Sequence, residues 1–149
     1  GNAHEAAYLL SLGFAKITLI DISKVLVDEL KLKFAKEITE GRCELIHGNF
    51  FDIQDTFDLV IEQTFFCAID PLLRDEYVQK MAEILNLGGK LVGLLFDMDK
   101  PDGPPFGGRF PEYEKRFKPY FHFKIFEACH NSIASRSGNE LFIVLVKKA

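Results

Sequence analysis

The chain is 149 residues long and 48% apolar, with 18 basic and 22 acidic side chains for a formal net charge of −4. Those figures suit one soluble globular domain over residues 1–149 and exclude a second large one. No apolar run approaches the roughly 20 residues that span a bilayer, and the start Gly1-Asn2-Ala3-His4-Glu5 lacks the basic region of a secretory signal. We therefore expect a cytoplasmic protein with no membrane partner.

With no Lys/Arg block there is no phosphate-tracking surface, so nucleic acid is not an expected partner either. Fifteen Phe and four Tyr supply the bulk of a core. Cys43, Cys67 and Cys129 are odd in number and far apart, which argues for three buried thiols rather than a disulfide framework or a metal site.

Asn2 to Leu12 reads as a helix capped by Asn2 and stopped by Gly13, with Ala6, Leu9 and Leu10 on one face. Lys16 to Asp21 is a short β-branched run ending in an acid, as in a strand buried on both faces. Ser23 can cap a second helix through Glu40, with Gly41 as its stop. Cys43 to His47 and Phe57 to Ile61 are strand-like, separated by the turn-rich Gly48-Asn49-Phe50-Phe51-Asp52. Pro71 opens a helix that carries Tyr77, Val78, Met81, Ile84 and Leu85 on one face and ends before Gly88-Gly89. Lys90 to Phe96 is another buried strand. Asp97 to Pro111, rich in Pro and Gly, is a long loop of the kind that usually carries function. A short helix over Glu112 to Lys118 follows, and His122 to His130 and Leu141 to Lys147 flank a turn as a terminal antiparallel hairpin.

Strands alternating with helices at this spacing predict an α/β fold. It is a Rossmann-like, doubly wound, mostly parallel sheet with a C-terminal antiparallel hairpin strand and a ligand crevice at the C-terminal strand ends. Several segments fall where such a sheet places a nucleoside-containing ligand. Gly1-Asn2-Ala3 opens the first helix with small residues and free N–H groups, and His4 stands in its first turn. Asp21, twenty positions further on at a strand end, can take both hydroxyls of a ribose. Asn49 offers an amide for an adenine edge, with Phe50 and Phe51 beside it as aromatic faces or as core.

Gly1-Asn2-Ala3-His4-Glu5, Leu19-Ile20-Asp21-Ile22-Ser23, His47-Gly48-Asn49-Phe50-Phe51 and Phe57-Asp58-Leu59-Val60-Ile61-Glu62 resemble the successive motifs of class I S-adenosylmethionine-dependent methyltransferases. More narrowly, Gln63-Thr64-Phe65-Phe66-Cys67-Ala68-Ile69-Asp70-Pro71 with Arg74, and Gly103-Pro104-Pro105-Phe106, are similar to the thiopurine S-methyltransferase family, and within it to the halide and thiol methyltransferases. The resemblance implies that Gly1 and Ala3 lie against the methionine part of the cofactor, with Asn2 and His4 also on the cofactor side, and that Asp21, followed by Ile22 and Ser23, holds its ribose. Asn49 and the Phe50 amide would read the adenine, with Phe51 beside them, and Glu62 would border the methionine part and the sulfonium. The family pattern has a strand and one more glycine before Gly1, so the natural protein is expected to continue upstream.

The sulfonium is already an activated methyl donor, so the protein's task is to align a soft nucleophile and exclude water. A thiolate, hydrosulfide or halide needs no general base in the transfer step. The expected acceptor walls are Phe65, Phe66, Pro105 and Phe106, with Gln63 and Arg136 as polar groups; Phe66 as core and Arg136 as a solvated hairpin charge are the competing readings. No histidine pair shows ligand spacing and no nucleophile elbow is present, so no metal is expected. The partners expected are thus S-adenosylmethionine, its product S-adenosylhomocysteine and a small methyl acceptor, in a monomer or weak homodimer. A nicotinamide oxidoreductase would share the strand-end acid but wants a third glycine that His4-Glu5-Ala6 does not supply. A catalytically silent cofactor-binding or interaction module stays open.

Overall fold

The computed structural model describes residues 1–14 and 16–149. The chain divides into two compact units, residues 1–53 and 54–149. In unit 1, helix α1 (His4–Ser11) leads to strand β1 (Ile17–Asp21), helices α2 (Lys24–Lys33) and α3 (Ala35–Thr39), and strand β2 (Cys43–His47). β1 and β2 pair in parallel, with Ile17 opposite Cys43 and Asp21 opposite His47, so both strands end on one edge. Ala6 and Leu10 of α1 bury against Leu30, Phe34 and Cys43, the apolar face that the helical spacing predicts.

Two details differ from the sequence reading. Asn2 does not cap α1: the position before the helix is Ala3, in the left-handed region at φ 50°, and the Asn2 carbonyl accepts from Lys33 Nζ. The long helix after Ser23 breaks at Phe34, whose φ of −105° turns the chain while its ring stays in the core. The predicted stops hold. Gly13 at φ 87° and Gly41 at φ 71° each close a Schellman motif, with Phe14 N–H donating to the Leu9 carbonyl and Arg42 N–H to the Glu37 carbonyl.

Unit 2 holds strand β3 (Phe57–Gln63), helix α4 (Arg74–Ile84) after a 3-10 turn at Pro71–Leu73, strand β4 (Leu85–Phe96), helix α5 (Phe110–Phe117), and strands β5 (Phe121–Ala128) and β6 (Glu140–Lys147). The sheet order is β3-β4-β6-β5, with β3 and β4 parallel and β6 antiparallel to both its neighbours. β6, a continuous Leu-Phe-Ile-Val-Leu-Val run, is central, as such a run demands. Leu85, expected on the helix, instead begins β4 opposite Phe57. The ladder then skips to Lys90 opposite Leu59, and Gly88 at φ 74° absorbs the excursion. α5 starts two residues early, with Pro111 in its first turn, where a missing N–H costs nothing. All three cysteines are free, but Cys129 is half-buried rather than buried.

Candidate functional site

In unit 1 the predicted nucleoside-binding residues gather at the C-terminal ends of β1 and β2. Asp21 Oδ1 accepts from the Ser23 N–H at 2.8 Å, and its Oδ2 lies 3.9 Å from the Gly1 nitrogen. The Asp21 carbonyl accepts from the Gly48 N–H at 3.0 Å, so the loop after β2 is fastened beside the acid. Ser23 Oγ caps α2 through the Leu26 N–H, and Ile22 is exposed, its carbonyl 3.2 Å from His47 Nε2. Asn49 Oδ1 accepts from the Phe51 N–H at 3.2 Å and starts a 3-10 turn over Phe50–Asp52. Phe50 is buried, in edge contact with the half-buried Phe51 at 5.3 Å. Asn2 and His4 are exposed and Ala3 half-buried. A left-handed alanine stores steric cost that glycine would not. A cavity of about 350 Å³ in this unit, lined by Ala7, Leu10, Ser11, Lys33, Phe34, Glu37 and Arg42, includes none of these residues.

In unit 2 the site is built on the end of β3. Glu62, 2% exposed, places Oε1 to accept from the Phe65 and Phe66 N–H groups at 2.9 and 3.0 Å. Its Oε2 accepts from the Tyr77 hydroxyl of α4 at 2.5 Å. Burial pushes the Glu62 carboxyl up, and the three donors pull it back. Burial and the adjacent carboxylate push the Tyr77 phenol well above its ordinary value. Thr64, between carboxylate and amides, is left-handed at φ 61°, a conformation a β-branched residue keeps only when its surroundings impose it.

Next to this turn a cavity of about 290 Å³ is lined by Thr64, Cys67, Ala68, Phe96, Pro104, Pro105 and Arg136. Pro105 and Arg136, two of the expected acceptor residues, thus line one cavity. The Arg136 guanidinium lies 5.5 Å from the Phe96 ring centre and 3.4 Å from Glu140 Oε1. The proline loop is tied to the turn after β3, because the Phe106 N–H donates to the Cys67 carbonyl at 2.6 Å. Arg74, buried, donates to the Gly107 carbonyl at 2.8 Å and to Glu112 at 2.9 Å, with its guanidinium 4.9 Å from the Phe66 ring. Gln63, the last residue of β3, is exposed, and Phe65 is 39% exposed.

Phe66 belongs to the core: it is 1% exposed and packs edge-on against Tyr77 and Tyr113 at 5.0 and 5.5 Å. Its backbone N–H, not its ring, binds the Glu62 carboxylate. Sequence reasoning missed Thr64, Cys67, Ala68, Phe96 and Pro104 as lining, although Thr64 to Ala68 and Pro104 lie inside the motifs already singled out. The role of Tyr77 carried no signal, since its spacing marks only a core face. Burial, then the Glu62 charge, pushes the Cys67 thiol up, so it stays neutral. Among the described residues no cluster of His, Cys, Asp or Glu could hold a metal ion, and no helix is long and apolar enough to cross a membrane.

This architecture is that of S-adenosylmethionine-dependent methyltransferases. A 1,6-didemethyltoxoflavin-N1-methyltransferase from Burkholderia thailandensis, solved with S-adenosylhomocysteine, superposes with a TM-score of 0.78 at 14% identity, covering 100% of this chain and 68% of that one. TehB from Haemophilus influenzae gives 0.74 at 16% identity, over 100% and 55%. Residues 19–144 match the family model for thiopurine S-methyltransferase, and the chain belongs to that family. It is 33% identical over 126 residues to a probable thiol methyltransferase 2 of Arabidopsis thaliana, covering 81% of this chain and 55% of the relative. It is 34% identical over 125 residues to a thiocyanate methyltransferase 1 of Brassica oleracea, over 81% and 55%. The chain therefore spans about half the length of these relatives.

Proposed function

We propose that the protein transfers a methyl group from S-adenosylmethionine to a small sulfur nucleophile, a thiol, thiolate or hydrosulfide, by in-line displacement. The observation that carries this reading is the cavity beside β3: its lining offers apolar walls, one cation and a neutral thiol, and no acid or base. Such a site suits a polarisable anion that needs positioning and dehydration rather than proton transfer. S-adenosylmethionine, when bound, supplies the activated methyl and a sulfur that leaves as a neutral thioether.

Arg136 draws the anion toward the walls, Pro104 and Pro105 exclude water, and the acceptor thiol gives up its proton to solvent before the transfer. Residues Gly1 to His4, Asp21 to Ser23 and Asn49 to Phe51 form the cofactor side in this proposal, with Asp21 taking the ribose. Glu62 borders the sulfonium through its backbone, since its carboxylate is engaged by three donors. Gln63, Phe65, Pro105, Phe106 and Arg136 form the acceptor side. We take both units as parts of one catalytic domain, which the family match across residues 19–144 supports. Three free thiols fit a cytoplasmic setting.

The test is the purified protein assayed with small thiols, hydrosulfide, thiocyanate, halides and 6-mercaptopurine, alongside calorimetry with S-adenosylhomocysteine and NAD. Small thiols or hydrosulfide should show the highest kcat/KM, with halides slower because their tighter hydration makes dehydration costly. A higher kcat/KM for 6-mercaptopurine than for every small thiol overturns the acceptor assignment. Binding of S-adenosylhomocysteine without turnover of any acceptor would instead mark a silent module. Gln63 offers neutral hydrogen bonds only, so Gln63→Arg should shift preference about tenfold toward the anionic heteroaromatic.

A further inference from the structure

We propose that Tyr77 is a positioning residue of the acceptor site: its hydroxyl, acting through the Glu62 carboxylate, holds the Phe65 and Phe66 amides and with them the turn that lines the cavity. This rests on the reading of that cavity as the acceptor site. Tyr77 is fully buried in α4 and is not among the residues that line the cavity, yet its oxygen lies 2.5 Å from Glu62 Oε2. The other carboxylate oxygen accepts the two amides at 2.9 and 3.0 Å. Between them Thr64, a cavity residue, is held left-handed at φ 61°. The Cys67 carbonyl at the end of the same turn receives the Phe106 N–H, which carries the arrangement into the proline loop.

A buried carboxylate with partners on both oxygens is a rigid bracket, because charge-assisted hydrogen bonds are shorter and stronger than neutral ones. With the phenol removed, Oε2 becomes a buried acceptor without that donor, and protonation of Glu62 grows easier. A protonated carboxyl holds two amides less firmly. The other groups acting on this bracket are the Cys67 thiol within the turn and, through it, Arg74 at the start of α4 and Arg136 after β5. Neither arginine is bonded to Glu62, so the phenol is the strongest side-chain donor on it.

The experiment is Tyr77→Phe in the purified protein, read by amide hydrogen exchange at Phe65 and Phe66 across a pH series corrected for intrinsic rates. Protection of those two amides should fall about tenfold, the loss of one charge-assisted bond, and should fall further as the pH is lowered. The KM for thiocyanate, an acceptor ionised throughout, should rise with a smaller change in the KM for S-adenosylmethionine. Glu62→Gln keeps an acceptor toward both amides and removes the titration, so in the Tyr77→Phe/Glu62→Gln pair the pH dependence should vanish. Unchanged protection at Phe65 and Phe66 in folded Tyr77→Phe overturns the proposal. So does a pH response that persists in the pair. Should Tyr77→Phe fail to fold, Glu62→Gln alone decides: pH-independent protection supports the bracket, and wild-type pH dependence there overturns it. A wild-type protein that transfers no methyl group is a failure of the proposed function, and the exchange data still decide the role of Tyr77.

Discussion

Asp21 and Glu62 are both strand-end carboxylates, and their surroundings suit them to opposite tasks in the proposed function. Asp21 is part-exposed, with Oδ1 on the Ser23 amide and Oδ2 turned toward Gly1, so one oxygen faces the open strand edge. Glu62 is sealed by three donors. Replacing Asp21 by Ala should therefore weaken S-adenosylhomocysteine binding by about 1–3 kcal/mol, the loss of charge-assisted bonds to ribose hydroxyls, with the fold intact. Calorimetry on the variant checks it, and unchanged affinity would end the ribose role. The difference between the two acids was not legible in the sequence, where each ends an apolar run. It is set by Tyr77 and by the Thr64 backbone, and neither a helix face nor a left-handed torsion at threonine announces itself in a residue string.

The elements themselves were legible wherever one signal dominated. Gly13 and Gly41 stop helices because only glycine reaches φ of 87° and 71° without steric cost, and the alternation of helices and strands set the α/β class. The misses fall where tertiary packing overrode local preference. Phe34 interrupts a helix in order to reach the core, and Leu85 leaves α4 for a pairing with Phe57 that is distant in sequence. Phe65 and Phe66 could not be told apart by pattern, yet one is 39% exposed and the other 1%. Close strand approach supplies a test at this scale. A Cβ on Gly93 would collide with the Glu62 carbonyl and Cβ across the β3–β4 pair, whereas one on Gly48 would meet only Ile46 and Ile20 side chains at 3.6 and 3.8 Å. Gly93→Ala should cost about 1–3 kcal/mol in urea unfolding, as overpacked interiors do, and Gly48→Ala far less. Equal losses would mean that β3 can move away from β4 freely.

For the whole chain, the pairings within each unit differ in how much polymer must close before they form. Ile17 finds Cys43 across the two short helices α2 and α3, while Lys90 must wait for Val146, far along the chain. Closing a longer loop costs more entropy, and nonlocal pairings slow folding. The ladder that carries the proposed acceptor cavity is therefore the late-forming part of the molecule. In pulse-labelled refolding, amides of β1 and β2 should gain protection before those of β4 and β6, and simultaneous protection would refute that order. During synthesis the same asymmetry leaves the edge of β4 that does not face β3 unmatched until β6 emerges, an interval in which that edge of Leu91-Val92-Gly93-Leu94-Leu95-Phe96 is open to other chains. Yield of the protein in cells should then depend on how quickly the eight residues of β6 follow β4, and not on final stability alone.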